Sequence, residues 1–150
     1  MLTELGVSEL RLASSERTVP SSGESTARIA RFERIAREAC AQSGQPHALH
    51  IEPPRPLVEV ASGAPEGAER LLFWEHAREP LGTLRPFAPG ESAAEVWAVV
   101  GPEGGLTDAE AAALQQQGYR ACGLGESILR AETALIAIST LLLDRMGRLS

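Results

Sequence analysis

Hydrophobic and polar positions along the chain switch between a spacing of two and a spacing of three to four, the pattern of strands alternating with helices. A short strand is expected over residues 9–13, running into SSERTVPSSGEST, whose Ser, Pro and Gly content marks an exposed loop. Residues 26–43 place Ile29, Phe32, Ala36, Ala39 and Cys40 on one helical stripe, with Arg28, Arg31, Arg34 and Arg37 spread over the remaining surface. Steps of three walk around a helix, so these arginines are expected to be a solvated face balanced by Glu33 and Glu38 rather than a track for RNA. Five prolines between positions 46 and 68 predict a connecting region with at most one short element near 57–60, open between helix and strand.

Two apolar runs follow, 70–74 and 96–100, separated by a Pro/Gly-rich loop at 80–92; both are expected to be strands buried on two faces, with Trp74 and Trp97 in the core. The second runs directly into Gly101-Pro102-Glu103-Gly104-Gly105, after which Thr107 and Glu110 form a capping box that opens a helix closed by Gly118. A further strand at 120–124 leads to Gly125-Glu126-Ser127 and a last helix over about 129–145, with Ala134, Leu135, Ile138, Leu141 and Leu142 facing inward. The order predicts an α/β domain with a mostly parallel sheet and no internal repeat.

Composition narrows the choice. The chain has 150 residues, 43% hydrophobic and 23% charged, enough for one globular domain with its own core. Twenty acidic residues against fourteen arginines, with no lysine, leave a net charge of −6, which excludes nucleic-acid binding through bulk positive charge. Any RNA contact must come from a local cluster, and the first fifty residues, with six arginines against six glutamates, repel phosphate least. Cys40 and Cys122 belong to no metal or disulfide pattern and are expected to be small, buried, reduced residues of a cytoplasmic protein. The opening MLTELGVSEL lacks a signal-peptide pattern, and the longest apolar stretch, 134–143, is too short to span a bilayer.

In an open parallel sheet, ligands bind beyond the carboxyl ends of the strands. Three such ends carry unusual loops, Trp74-Glu75-His76, Gly101 to Gly105 and Leu124 to Arg130, and they are expected to converge. The GPEGG turn lets a backbone approach a ligand closely, although a plain strand-to-helix turn accounts for it too. It lacks the lysine and hydroxyl of a phosphate loop. Arg130, Glu132 and Thr133 stand at the mouth of an apolar helix; they serve either a ligand or simply the helix dipole and a local ion pair. His47 and His50 form H-x-x-H without other ligands nearby, so no metal is expected.

Together, GPEGGLTDAE and LGESILRAETA resemble the catalytic domain of the RsmE-type 16S ribosomal RNA uridine N3-methyltransferases, of the SPOUT class. The likeness extends to TELGV at the start, to Ser15-Glu16-Arg17, and to Glu38-Ala39 and Gln42-Ser43. It implies a SPOUT-like α/β knot, with a C-terminal trefoil knot and a homodimer packed around it. It also implies S-adenosylmethionine as cofactor and the small ribosomal subunit or its 16S RNA as partner. Carried over by position, the cofactor pocket would comprise Leu72, Gly101, Pro102, Glu103, Gly104, Gly105, Leu124, Gly125, Ile128 and Leu129. Arg130 would stabilise the uracil anion formed when N3 loses its proton, and also touch RNA. Glu132 would orient Arg130 or cap the helix, or it or Glu103 would assist proton removal. Arg17 is a second RNA candidate.

Relative to that family, the chain is expected to be a single domain over 1–150, truncated at its N-terminus and without the β-barrel that helps grip RNA. Gln42-Ser43-Gly44-Gln45 stands where the family has Q-S-x-R, and Ser127 where an arginine precedes I-L-R. These departures define the rival expectation, a catalytically silent dimeric module that has lost RNA recognition.

Overall fold

The computed structural model describes residues 1–18, 25–80, 95–125 and 129–149. Its elements are α1 (Leu2–Leu5), β1 (Glu9–Ser14), α2 (Ser25–Ser43), β2 (His50–Pro56), α3 (Leu57–Ser62), β3 (Glu69–Phe73), β4 (Val96–Val100), α4 (Asp108–Gln116), β5 (Arg120–Cys122) and α5 (Ala131–Arg145). All pairing between named strands is parallel: β1 with β2, and β4, β3 and β5 side by side in that order. The α/β architecture and the parallel sheet expected from the alternation are therefore present.

Strand β3 is the axis of the larger sheet. Leu71 and Leu72 are completely buried, and their side chains enter different layers, because successive residues of a strand point to opposite faces. Leu72 packs with Leu57, Ala61, Leu106, Ala111 and Leu114 under α3 and α4. Leu71 and Phe73 pack with Cys122, Ala134, Ile138 and Leu142 under α5. Helices on both faces explain why the sequence of β3 is an unbroken apolar run. Strand β4 departs from that expectation: it lies at an outer position, Ala98 is exposed and the other four residues are only half-buried. Trp74 and Trp97 likewise border the core half-buried rather than fill it.

The 46–68 region holds more structure than its prolines suggest. Residues 57–62 are a helix, and β2 is a strand despite Pro53, Pro54 and Pro56. Its register with β1 jumps between Arg11↔Glu52 and Ala13↔Arg55, so Leu12 stands opposite Pro53 and Pro54 at a bulge. Proline costs a ladder bond within regular pairing, but a bulge on an outer strand already interrupts the ladder. Helix α2 covers this pair through Ile29, Phe32 and Ala36, which meet Leu49 and Ile51 as the stripe predicts. Its arginines are exposed, with Arg34 3.4 Å from Glu38 and Arg37 4.0 Å from Glu33, as expected of a solvated face. The two sheets meet where the Arg11 guanidinium lies 4.4 Å from the centre of the Trp97 ring. No described helix is long and apolar enough to cross a membrane.

Candidate functional site

Because β3, β4 and β5 are parallel neighbours, their carboxyl ends open on one edge of the sheet, which is where the sequence places its unusual loops. After β3, the Ala77 N–H donates to the Trp74 carbonyl at 3.0 Å, turning the chain, and the Trp74 N–H donates to the Cys122 carbonyl at 3.2 Å. The Gly123 N–H then donates to the Glu79 carbonyl at 2.8 Å. A β-carbon on Gly123 would come within 3.0 Å of the Ala77 carbonyl oxygen, so this crossing of the β3 and β5 loops is built for glycine.

After β4, the Gly105 N–H donates to the Pro102 carbonyl at 2.8 Å and closes a tight turn. Gly105 is buried with φ +71°, a backbone state that disfavours side chains, and the Glu75 carboxylate occupies the space its β-carbon would need. The turn feeds α4 through the expected capping box: Thr107 Oγ1 accepts from the Glu110 N–H at 3.2 Å, and Glu110 Oε2 accepts from the Thr107 N–H at 2.9 Å. The other Glu110 oxygen, Oε1, accepts from the Glu16 N–H at 2.9 Å. The neighbouring Arg17 lies over the turn and donates from Nη1 to the Gly104 carbonyl at 2.9 Å. Burial alone would raise the Glu110 pKa, but hydrogen bonds from Thr107 and Glu16 and the charge of Arg17 outweigh it and hold the carboxyl below its ordinary value.

The structure thus brings Arg17, Gly104, Gly105 and Glu75 together. Other candidates stand differently. Leu72 is wholly within the core, so only its backbone at the strand end can serve a ligand. Pro102 is half-buried, and Glu103 and Gly104 are exposed. Gly101 is half-buried against Leu106, and Leu124 borders the α5 cluster. Gly125 is exposed with φ +111°, and Ile128 lies outside the described residues. Leu129, Arg130 and Glu132 are all exposed; Arg130 is the α5 N-cap residue but makes no side-chain cap bond. No ion pair joins Arg130 to Glu132 among the described residues, so the expected orienting contact is not formed.

Away from this edge, Glu9, His50 and Glu52 offer ligand atoms within 4.8 Å of one another. His47 is not among them, and the two carboxylates already face arginine: Arg11 is 2.9 Å from Glu9 and Arg55 is 3.0 Å from Glu52. Sequence reasoning placed Glu75 in one of the converging loops without giving it a role, and it missed the second role of Glu110. The capping-box pattern T-x-x-E was visible, but nothing local indicates what the spare carboxylate oxygen reaches.

The fold is a parallel α/β sheet with a glycine turn and an arginine-bearing loop at its carboxyl edge, the position at which open α/β sheets bind ligands. Residues 1–143 match the RNA methyltransferase domain family, and the chain belongs to that family. Ribosomal RNA small subunit methyltransferase E of Aquifex aeolicus is 30% identical over 145 residues, covering 95% of this chain and 59% of the relative. Its Bacillus subtilis counterpart is 31% identical over 116 residues, covering 74% and 45%. The crystal structure of the Neisseria gonorrhoeae methyltransferase E bound to S-adenosylmethionine superimposes with a TM-score of 0.82 at 32% identity, covering 95% of this chain and 56% of that one. The chain spans about half the length of the curated relatives it matches.

Proposed function

We propose that this chain binds S-adenosylmethionine at the carboxyl edge of β3, β4 and β5 and transfers its methyl group to N3 of a uridine in small-subunit ribosomal RNA. The observation that carries this reading is the Arg17 guanidinium fixed on the Gly104 carbonyl: a cation suited to RNA stands on the turn suited to the cofactor. Family membership and the cofactor bound by the Neisseria relative support it.

The residues present fit the cofactor. The turn at 101–105 exposes backbone without bulky side chains, and the Glu75 carboxylate, which fills the space over Gly105, suits a cationic donor. Trp74 Nε1 is buried without a hydrogen-bond partner among the described residues, a donor available to a ligand at the same strand end. Gly101, Pro102, Glu103, Gly104, Gly105, Leu124, Gly125, Ile128 and Leu129, with the backbone at Leu72, would hold the cofactor. When bound, it would supply an electrophilic methyl group on a positively charged sulfur and would leave as the neutral thioether. Arg130 stabilises the uracil anion after N3 loses its proton, and the exposed Glu132 or Glu103 assists removal of that proton. Holding the base in line with the methyl group supplies much of the rate. The same reading includes a C-terminal trefoil knot, a homodimer that sediments as such at micromolar concentration, and a cytoplasmic location beside the ribosomal substrate.

Calorimetric titration of the 150-residue chain with S-adenosylmethionine, alongside Gly104→Val, tests the reading. A β-carbon at 104 would sit 3.3 Å from Arg17 Cβ, a tight contact, and the rest of the branched side chain would obstruct the exposed backbone of the turn against which the cofactor would lie. Saturable binding that Gly104→Val abolishes, followed by methyl incorporation into small-subunit RNA at uridine N3, is expected. A folded chain that does not bind the cofactor refutes the reading, and binding without transfer favours the silent module.

A further inference from the structure

We infer that Glu110 is a positioning residue for RNA: its carboxylate ties the loop that carries Arg17 to the glycine turn, fixing the RNA-facing cation relative to the cofactor crevice. The inference rests on the proposed methyl transfer to RNA and assigns the part of the site that sets the grip on that substrate.

A helix cap needs one Glu110 oxygen. Oε2 provides it, accepting from the Thr107 N–H at 2.9 Å and from the Thr107 hydroxyl at 3.1 Å. Oε1 is then free for a different task, and it reaches the Glu16 N–H at 2.9 Å across 94 positions of sequence. Glu16 is the second residue of a turn closed by the Thr18 N–H on the Ser15 carbonyl at 3.0 Å and braced by the Ser15 and Thr18 hydroxyls 2.7 Å apart. Arg17 follows at once and lands on the Gly104 carbonyl at 2.9 Å. The loop is therefore pinned at two adjacent residues, one to the first turn of α4 and one to the turn that precedes it. An arginine on an untethered loop would lose side-chain and backbone freedom each time it met a phosphate or base; tethering in advance removes that cost from binding. Such a residue affects how RNA is held and leaves the cofactor contacts alone.

Proline is favoured at the second position of such a turn, so Glu16→Pro removes the N–H that Glu110 accepts while leaving the α4 cap untouched. Glu16→Ala removes the same carboxylate but keeps the N–H, and is its reference. Steady-state methylation of small-subunit ribosomal RNA and calorimetry with S-adenosylmethionine are measured on both full chains. The bond is solvent-exposed, so the expected effect is moderate: KM for RNA rises about three- to tenfold in Glu16→Pro over Glu16→Ala, with kcat and cofactor affinity matched. Should Glu16→Pro fail to fold, Glu110→Gln, which has a single acceptor oxygen for the two tasks, is compared with Thr107→Ala, which disturbs only the cap. A raised RNA KM in Glu110→Gln alone supports the inference. Equal KM values within either pair overturn it, as does a matching loss of cofactor affinity, which would make the bond general support for the turn. A wild-type chain that neither binds cofactor nor transfers methyl overturns the proposed function itself, and the inference with it; that outcome is seen before any variant is made.

Discussion

Gly105→Ala separates two effects at the centre of the proposed site. Gly105 has φ +71°, where an L side chain costs about 1–2 kcal/mol. The new β-carbon also enters the space of the Glu75 carboxylate. That carboxylate is the far end of an exposed side chain and can swing away, so the collision adds little to the loss of stability. Thermal denaturation should therefore show Tm lowered by roughly 2–8 °C, the strain alone. The collision is felt instead in cofactor binding, because the displaced carboxylate no longer faces the cationic donor. Calorimetry should show S-adenosylmethionine affinity down about three- to tenfold, the size of one partly screened contact to a charged group. Glu75→Ala should lose a similar factor, and the double variant should bind no worse than Glu75→Ala alone while keeping the lowered Tm. Losses in affinity that add would refute the reasoning, since Glu75 would not be the route by which residue 105 acts. An unchanged Tm would refute the backbone argument.

Three further outcomes are expected. Arg130→Ala should abolish methyl transfer with cofactor affinity held within a few-fold, since the guanidinium is assigned to the uracil anion; an unchanged rate removes it from the mechanism. Burial pushes the Cys122 thiol up to about 11, so a thiol reagent at pH 8 should modify half-buried Cys40 far faster than Cys122, and equal rates would contradict the packing around β5. Glu110 is held below its ordinary carboxyl value, so its contribution to stability is complete above the unfolded value and is lost as pH falls through the lowered one. Acid denaturation of Glu110→Gln should therefore lack that component of the pH dependence, and a profile parallel to wild type below the ordinary glutamate range would show that the carboxylate bonds do not form.

Much of the fold was legible because the signals that define elements are local. The stripe of Ile29, Phe32 and Ala36, the apolar run of β3 and the Thr107–Glu110 capping box each depend on neighbours a few residues away, and each forms as expected. The exceptions share a cause. Prolines in β2 argued against a strand, yet they stand at a bulge whose existence depends on the partner strand β1. The run in β4 suggested burial on both faces, but an outer position leaves Ala98 exposed. Four-residue α1 is too short to leave a periodic signal.

The candidate site divides along the same line. By itself the sequence determined which residue types are available: a glycine turn between a strand and a capped helix, an arginine in a polar loop, and an Arg–Glu pair opening an apolar helix. Periodicity, caps and turn chemistry act over a few residues, so composition in a short window is enough to specify them. Only the tertiary structure decided that Arg17 rests on Gly104, that Glu75 fills the space over Gly105, and that the spare oxygen of Glu110 holds the Glu16 N–H. It also left Arg130 and Glu132 without a mutual ion pair among the described residues. Those relations join residues tens of positions apart, and they are set by how parallel strands align their carboxyl ends and by which face each side chain enters.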